Sequence, residues 1–236
     1  MNIQSQQPDL IKSMFSQVAS RYDAANNILS FGIHHLWRRK LVRLSGATAG
    51  MSILDCATGT GDLAIEFKKA VGPTGKVLGT DFCVEMLNFA PAKARSKNFQ
   101  IEFEVGDVMS LKYLSESFDV SSISFGIRNV SNPVQGLTEM ARVTKSGGKV
   151  MVLEFGQMQL PVVSAVYDYY SQNILPRIGG WVTGKHDAYQ YLQKSSAQFP
   201  CRERFIDLMK QTGLLKNTGY VPVSGGIAYI YFAERI

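Results

Sequence analysis

The sequence predicts an α/β protein with a doubly wound, mostly parallel, seven-stranded sheet of the Rossmann-like type. First, short apolar runs alternate with helical stretches from Met51 to Phe155, a pattern typical of a parallel sheet covered on both faces. Second, a glycine-containing turn joins the first strand to its helix. Third, the alternating end of the chain follows Ser224, Gly225 and Gly226 and predicts a terminal antiparallel hairpin.

The strands and helices can be assigned in order along the chain. The predicted strands are MSILDC, KVLGTDF, QIEFEVGD, FDVSSISF, GKVMVLEF, LKNTGYVPV and IAYIYFAERI. The helices that accompany them are GDLAIEFKKAV, CVEMLNFAPAKARS, PVQGLTEMARVTK and RERFIDLMKQTG. Pro133 suits the start of the third of these helices, and Ser146-Gly147-Gly148 suits its end, because proline favours the first turn and glycine the end of a helix.

The composition indicates one soluble globular domain over 1–236, with 45% hydrophobic and 19% charged residues. We expect four parts within it. They are a helical extension at 1–50, a cofactor-binding core at 51–155, an aromatic-rich helical lid at 156–200, and a terminal helix and hairpin at 201–236.

Neither a membrane span nor a disulfide framework is predicted. No apolar run approaches the roughly 20 residues that a spanning helix needs, and the first residues lack the pattern of a signal peptide. We therefore expect a cytoplasmic protein. Cys56, Cys83 and Cys201 are far apart and odd in number, and we expect them to be reduced and buried. His34, His35 and His186 show no metal-ligand spacing.

The chain is basic, with a formal charge of +6. Its strongest cluster is WRRKLVR, from Trp37 to Arg43. Three interpretations stay open at this point: a solvated helix face, a membrane-surface patch or a nucleic-acid contact. Charge alone does not choose among them.

The turn ILDCATGTGDLA runs from the first strand into a helix. Gly59 and Gly61 allow a close approach of backbone to a ligand at the positive end of that helix. The motif alone is ambiguous, because Gly59, Gly61 and Ala64 also satisfy the permissive dinucleotide fingerprint.

Three acids favour a different ligand. Asp55, Asp81 and Asp107 each end or follow one of the first three strands, at the sheet edge where α/β proteins bind ligands. Carboxylates repel a pyrophosphate but suit the sulfonium and amino groups of S-adenosylmethionine. We therefore expect S-adenosylmethionine, with Asp81 on the ribose hydroxyls and Asp107-Val108 flanking the adenine. The alternative for each single aspartate is a loop or helix cap.

At this point the residues resemble the class I S-adenosylmethionine-dependent methyltransferases. Within them the chain is similar to the C-methyltransferases of ubiquinone and menaquinone biosynthesis. The resemblance extends from about Phe15 to the end and rests on FSQVASRYDAANNILSFGIHHLWRR, ILDCATGTGDLA, ISFGIRNV, VMVLEF, YLQKSSAQFP and GGIA. Relatives often have AGGTGD where this chain has ATGTGD, so Thr58 changes the detail of the loop and leaves its two glycines intact.

The resemblance implies methyl transfer from S-adenosylmethionine to a ring carbon of a reduced polyprenyl quinol. The step converts demethylmenaquinol to menaquinol, or is the equivalent step on a methoxy-benzoquinol. The implied cofactor contacts are Thr60, Asp81, Asp107 with Val108, and Ser124. The implied partners are the quinol and an anionic membrane surface under the basic N-terminal helix. Whether a second copy of the chain completes a homodimer stays open. We expect no nucleic-acid partner.

The resemblance also points to Arg128, Asn129 and Tyr22 as catalytic residues. Methylation of a ring carbon requires an ionised ring hydroxyl, and a nearby cation lowers a pKa by roughly one to three units. We expect the partner of Arg128 to be this quinolate oxygen, absent from the chain itself. The proton leaves through a water held by Arg128, Asn129 and Tyr22, and whether the water or Tyr22 accepts it stays open.

Each of the three catalytic candidates has a structural alternative. Arg128 pairs with an acid at the sheet edge, Asn129 caps the helix before Pro133, and Tyr22 is an ordinary packing residue. Two other functions also stay open, a methyltransferase acting on another small molecule and a basic RNA-binding protein with a vestigial cofactor loop.

Overall fold

The protein is described from a computed structural model that covers 19–30, 32–157 and 195–236, together with Ser13, Ser16, Gln17 and Tyr191. At Tyr22 it describes the backbone and not the side chain. Nearly all of the predicted lid at 156–200 lies outside the described residues, and so does the predicted helical spacing of Leu10, Met14 and Val18.

The described part of the chain contains one seven-stranded sheet. Its strands are β1 (Ser52–Cys56), β2 (Lys76–Asp81), β3 (Glu102–Val105), β4 (Phe118–Ser124), β5 (Thr144–Phe155), β6 (Leu215–Val223) and β7 (Ala228–Arg235). They lie in the order β3-β2-β1-β4-β5-β7-β6. The first five are parallel, whereas β7 runs antiparallel to both β5 and β6. The predicted fold class, including the antiparallel C-terminal hairpin, is confirmed.

Seven α-helices accompany the sheet in the described residues. They are α1 (Tyr22–Ser30), α2 (Ile33–Ser45), α3 (Asp62–Val71), α4 (Val84–Leu87), α5 (Ala90–Ser96), α6 (Pro133–Val143) and α7 (Glu203–Lys210). Short 3-10 turns span Ala19–Arg21, Ile127–Asn129 and Ser224–Gly226. No described helix is long and apolar enough to cross a membrane.

Two apolar layers cover the sheet, one on each face. Successive strand residues point to opposite faces, so Leu54 and Ile53 join different layers. Helices α6 and α7 contribute to the layer that contains Leu54. Helices α2 and α3 contribute to the other, where Trp37 and Leu41 are buried. The N-terminal extension therefore packs directly on the sheet.

The structure differs from the sequence prediction at two boundaries. The single helix predicted over CVEMLNFAPAKARS is two short helices, α4 and α5, and Pro91 lies in the first turn of the second. Helix α6 ends at Val143, and β5 begins at Thr144 rather than after the glycines. Gly147 and Gly148 instead belong to an irregular pairing with β4, where a Cβ on Gly148 would lie 2.6 Å from the Asp119 carbonyl oxygen.

Candidate active site

The glycine loop joins β1 to α3 at the carboxyl edge of the sheet. Gly59 and Gly61 both have positive φ, 57° and 84°, a conformation that glycine adopts without steric cost. A Cβ on Gly61 would also lie 3.0 Å from Cζ of Phe103. Both glycines are therefore required by the shape of the loop, as the sequence predicted.

Asp55 anchors this loop to the neighbouring strand. Its carboxylate is buried and accepts hydrogen bonds from the hydroxyls of Thr58 at 2.7 Å and Ser122 at 2.8 Å. Burial raises the pKa of Asp55 to about 6, although the two hydroxyls oppose the change. The threonine that replaces the usual glycine thus has a role in this chain. The predicted contact between Asp55 and the cofactor stays a prediction.

Asp81 ends β2 and holds the tip of the glycine loop. Its carboxylate accepts the backbone N–H of Gly59 at 2.7 Å and that of Cys83 at 2.8 Å. Burial raises the pKa of this carboxyl, and the N–H donors act in the opposite direction. A carboxylate has about four acceptor positions, so these N–H groups do not use all of them. The predicted contact between Asp81 and ribose hydroxyls stays a prediction.

The ends of β3 and β4 carry the other predicted cofactor contacts, Asp107 with Val108 after β3 and Ser124 at the end of β4. Asp107 is exposed and accepts the N–H of Met109 at 2.8 Å, whereas Val108 is buried against the apolar layer. At the end of β4, the hydroxyl oxygen of Ser124 is buried without a hydrogen-bond partner among the described residues. Buried polar groups are normally satisfied, so an oxygen in this state is a candidate ligand contact.

Thr60 links the glycine loop to the N-terminal helix α1. Its hydroxyl donates to Asp23 at 2.7 Å and accepts from Lys93 at 3.1 Å. The Lys93 ammonium also pairs with the Asp23 carboxylate at 2.6 Å and with Asp62. Neither Asp23 nor Lys93 was predicted from the sequence, because residues 70 apart come together only through the fold.

His34, His35 and Asp62 bring three potential ligand atoms within 4.8 Å of one another, which the sequence spacing did not indicate. The Asp62 carboxylate is already shared between Arg38, at 2.9 Å, and Lys93. Burial and Arg38 lower the pKa of His34 to about 3. The cluster therefore joins α2 to the start of α3 through protein cations.

The segment that follows β4 turns sharply before it reaches Arg128. Phe125 has a positive φ of 58°, which is uncommon for a residue with a side chain. A Cβ on Gly126 would lie 2.5 Å from the Cβ of Ala57. Gly126 therefore allows this turn to pack against the end of β1, which places Ile127–Asn129 beside the glycine loop.

Arg128 is paired within the chain, so the expectation that its partner is absent from the chain is wrong. Its Nη1 donates to Glu154 Oε1 at 2.6 Å and to the Phe125 carbonyl oxygen at 2.8 Å. The two side chains are 5% and 1% exposed. A buried charge needs such a partner, and the structural alternative of an ion pair is the one observed. A direct role for Arg128 in catalysis stays a prediction.

Asn129 does not cap the following helix, because Asn132 does so by accepting the N–H of Gln135 at 3.1 Å. The side-chain oxygen of Asn129 instead accepts the hydroxyl of Tyr191 at 3.0 Å. Tyr191 lies near both Arg128 and Glu154, which act in opposite directions on a pKa that burial raises. The side chain of Tyr22 lies outside the described residues.

The chain was compared with known families, proteins and structures. The model of the ubiE/COQ5 methyltransferase family matches residues 1–235. A ubiquinone/menaquinone biosynthesis C-methyltransferase, UbiE, from Bdellovibrio bacteriovorus is 64% identical over 231 residues, which are 98% of each chain. A demethylmenaquinone methyltransferase from Deinococcus radiodurans is 40% identical over 225 residues, 95% of this chain and 92% of that protein.

The chain belongs to the ubiE/COQ5 methyltransferase family. It is an S-adenosylmethionine-dependent C-methyltransferase of quinone biosynthesis, so the predicted family, enzyme class, activity and cofactor are confirmed. The fold agrees with this assignment. A SAM-dependent methyltransferase from Aquifex aeolicus is similar in structure, with a TM-score of 0.63 at 19% identity over 84% of this chain and 89% of that chain.

The residues present at the sheet edge fit the cofactor of the family. The positive-φ glycines leave no side chain between the loop and a ligand, and the free hydroxyl oxygen of Ser124 is an unsatisfied partner. Asp81 retains acceptor positions at the end of β2. These acceptors suit ribose hydroxyls and an amino group better than a pyrophosphate.

Besides Asp23 and Lys93, sequence reasoning gave no role in the site to Glu154 or Tyr191, the partners of Arg128 and Asn129. Glu154 carries a usable signal, because it follows the apolar run VMVL just as Arg128 follows its own. Two opposite charges at the ends of adjacent buried strands predict a pair. Tyr191 carries no such signal, since it is one of several tyrosines in an aromatic-rich segment.

Proposed function

We propose that this methyltransferase acts on a reduced polyprenyl quinol and converts demethylmenaquinol to menaquinol. The observation that carries the proposal is the cluster of Arg128, Asn129, Glu154 and Tyr191 at the sheet edge beside the glycine loop. The name of the relative from Deinococcus radiodurans supports the choice of quinol.

The cofactor, when bound, supplies an electrophilic methyl group and leaves as a thioether. A quinol hydroxyl first loses its proton to water, and its charge is shared onto the ring carbon. That carbon forms the new bond to the methyl group while the sulfur keeps the electron pair of the bond that breaks. Loss of the ring-carbon proton to water restores the aromatic ring as a quinolate, whose oxygen then takes a proton from water to give the quinol. One net proton is therefore released for each methyl group transferred.

Arg128 promotes the first of these steps by stabilising negative charge on the quinol oxygen. An arginine stays protonated in a protein, so it serves as an electrostatic stabiliser and not as a base. Its guanidinium is held by Glu154 and by the Phe125 carbonyl, so it needs little reorganisation. Asn129, fixed by Tyr191, and Tyr22 position the water that receives the proton.

The cofactor contacts that we propose follow the ends of the strands. Asp81 binds the ribose, and Asp107 with Val108 flanks the adenine. Ser124 uses its free hydroxyl oxygen. The loop contributes Gly59, Gly61 and Thr60, and Asp55 supports it through Thr58. With no protein metal in this scheme, alignment of the methyl group with the ring carbon supplies several kcal/mol of the barrier reduction.

Purified protein, S-adenosylmethionine and a reduced demethylmenaquinol analogue test the proposal. We expect a product heavier by one methyl group, with the label on a ring carbon by NMR. Oxidised demethylmenaquinone serves as the control, because a quinone lacks the hydroxyl that ionises. Preferred methylation of an unrelated small molecule, or equal rates with quinone and quinol, would contradict the proposal.

We further propose that α2 rests on an anionic membrane surface, where a prenylated substrate lies. Leu36 is 59% exposed, and Ile33, Arg39 and Arg43 are also exposed on this helix. Positions 36, 39 and 43 share one helix face, and Trp37 packs into the core on the other. Apolar and basic residues on one helix face favour a surface of anionic lipid.

Vesicle flotation with and without phosphatidylglycerol tests this surface. We expect binding to the anionic vesicles, and a loss of about tenfold or more for Leu36→Ser, since an apolar side chain contributes roughly 1.5–3 kcal/mol when buried. Leu114→Ser is the matched control, because Leu114 is exposed in the loop between β3 and β4. Equal losses for both variants would contradict the assignment to α2.

A further inference from the structure

We infer that Glu154 is a positioning residue of the quinol site, which fixes the guanidinium of Arg128 and sets how much positive charge the quinol oxygen experiences. The inference rests on the proposed function and adds a residue to it. Glu154 lies at the carboxyl end of β5, next to β4, and is almost fully buried.

The Glu154 carboxylate contacts both the side chain and the backbone of Arg128. Glu154 Oε1 accepts from Arg128 Nη1 at 2.6 Å and from the Phe155 N–H at 2.8 Å. Its Oε2 accepts from the Arg128 N–H at 3.3 Å. One carboxylate therefore holds both the backbone and the guanidinium of Arg128. This fixes the turn Ile127–Asn129 against β5 as well as the side chain.

The guanidinium of Arg128 keeps hydrogen-bond donors for a ligand. Both described hydrogen bonds of its guanidinium use Nη1, and Nε is buried without a partner in the described part of the chain. The guanidinium also lies over the ring of Phe155, with Cζ 5.4 Å from the centroid. Its orientation is thus set on one side by Glu154, and donors remain for another group.

The negative charge of Glu154 offsets part of the positive charge of Arg128. Within the described residues Arg128 has one ion-pair partner, Glu154, and the other titratable side chains near this pair are Tyr191 and Tyr231. A charge close to a titrating group moves its pKa by roughly one to three units. An arginine without an ion-pair partner would stabilise the quinolate most, and the carboxylate of Glu154 offsets part of that stabilisation. Glu154 therefore reduces the positive electrostatic potential of Arg128 at the quinol oxygen, and it fixes the orientation of the guanidinium.

The pH dependence of kcat for quinol methylation tests both parts of the inference. In wild-type protein the rate rises with pH as the bound quinol ionises. Glu154→Gln keeps the size of the side chain and removes its charge. We expect the rising limb of the pH–rate profile of this variant to move to lower pH by about one unit. At a pH on this limb, that shift is a tenfold change in the quinolate fraction. An unshifted limb with a lower kcat is the result of a merely structural role, and it would overturn the inference.

Glu154→Asp provides a second variant in case the glutamine variant does not fold. It retains the charge but retracts the carboxylate, so we expect an unshifted limb and a kcat of about one tenth of the wild-type value or below. Calorimetry should show an affinity for S-adenosylmethionine near that of wild type. A kcat equal to that of wild type would overturn the positioning role.

Glu139→Gln is the matched control for these variants. Glu139 also bridges an arginine, Arg142 at 2.7 Å, and a backbone N–H, that of Leu111 at 2.9 Å, but it lies on α6. We expect no shift of its limb, and an equal shift would overturn the inference. No methylated quinol from wild-type protein would refute the proposed function and the inference with it. An active wild type with an unshifted Glu154→Gln limb refutes the inference alone.

Discussion

The carboxylate of Asp81 accepts the backbone N–H of Gly59 across 2.7 Å, so the end of β2 and the glycine loop form one rigid unit. The second oxygen of the same carboxylate holds the start of α4 through the N–H of Cys83. One side chain thus shapes the loop and offers its remaining acceptor positions to a ligand.

Asp81→Asn should weaken S-adenosylmethionine binding by about tenfold or more, because hydrogen bonds to a charged group contribute roughly 1.5–3 kcal/mol. Isothermal calorimetry measures the change. Asp119→Asn is the matched control, since Asp119 likewise accepts a backbone N–H, that of Ser52 at 2.7 Å, at the start of β1. Unchanged affinity in Asp81→Asn would remove the ribose assignment.

Gly126→Ala should lower the free energy of unfolding by about 1–3 kcal/mol, the usual range for overpacking. The new Cβ would lie 2.5 Å from that of Ala57. Gly136→Ala is the control in α6, where the nearest atom to a new Cβ is 3.4 Å away, and alanine favours helix by up to about 1 kcal/mol. Urea unfolding compares them, and equal stabilities would contradict the close approach.

Asp55 should make the protein less stable as pH rises from about 4 to about 6. Burial raises its folded pKa from 3.8 to about 6, so within this range the unfolded state has lost the proton that the folded state still binds. The difference is up to about 1.4 kcal/mol per pH unit. Urea unfolding of wild type and Asp55→Asn should show wild type losing stability relative to the variant. A constant difference across this range would argue against the raised pKa.

Arg128→Lys should reduce turnover by about a hundredfold, as the loss of a transition-state donor does, while cofactor binding stays near normal. A lysine ammonium can still reach Glu154 but lacks the planar fork of arginine. Steady-state kinetics and calorimetry separate the two effects. Arg142→Lys, in the ion pair with Glu139, should keep its turnover. Full activity in Arg128→Lys would exclude the electrostatic role.

Tyr191→Phe should lower kcat by about fivefold, the equivalent of one hydrogen bond of roughly 1 kcal/mol. It removes the donor to Asn129 and leaves the ring in place. Tyr220→Phe, which loses an exposed bond to Glu203 at 2.5 Å, is the control and should match wild type. An unaffected kcat in Tyr191→Phe would separate Tyr191 from the reaction.

The fold was accessible to sequence reasoning because it rests on local patterns. The alternation of strands and helices predicted all seven strands, and the end residues Leu215 and Val223 of β6 match the predicted run LKNTGYVPV. Boundaries were less accurate where tertiary packing outweighs local preference. The pairing of Phe118 with Thr144 extends β5 four residues ahead of Gly148, where the predicted strand GKVMVLEF begins.

The site was predictable only where a residue stands in a motif. Gly59, Gly61 and Asp81 follow from the turn between β1 and α3 and from the strand ends. The partner of Arg128 stands in no motif: Glu154 is 26 residues away, and only its place after an apolar run, on a strand adjacent to β4, indicates the pair. The contact between Asp23 and Lys93 likewise depends on how α1 packs against the glycine loop.

The position of β7 between β5 and β6 has a consequence for the order of events during synthesis. Strand β6 leaves the ribosome before the strand that will pair with it. Until β7 emerges, β6 and the outer side of β5 both present free backbone N–H and C=O groups, which favour pairing with other chains. Arrival of β7 closes both edges at once. The last strand of the sheet therefore leaves β6 with one open edge instead of two, and gives β5 a partner on each side.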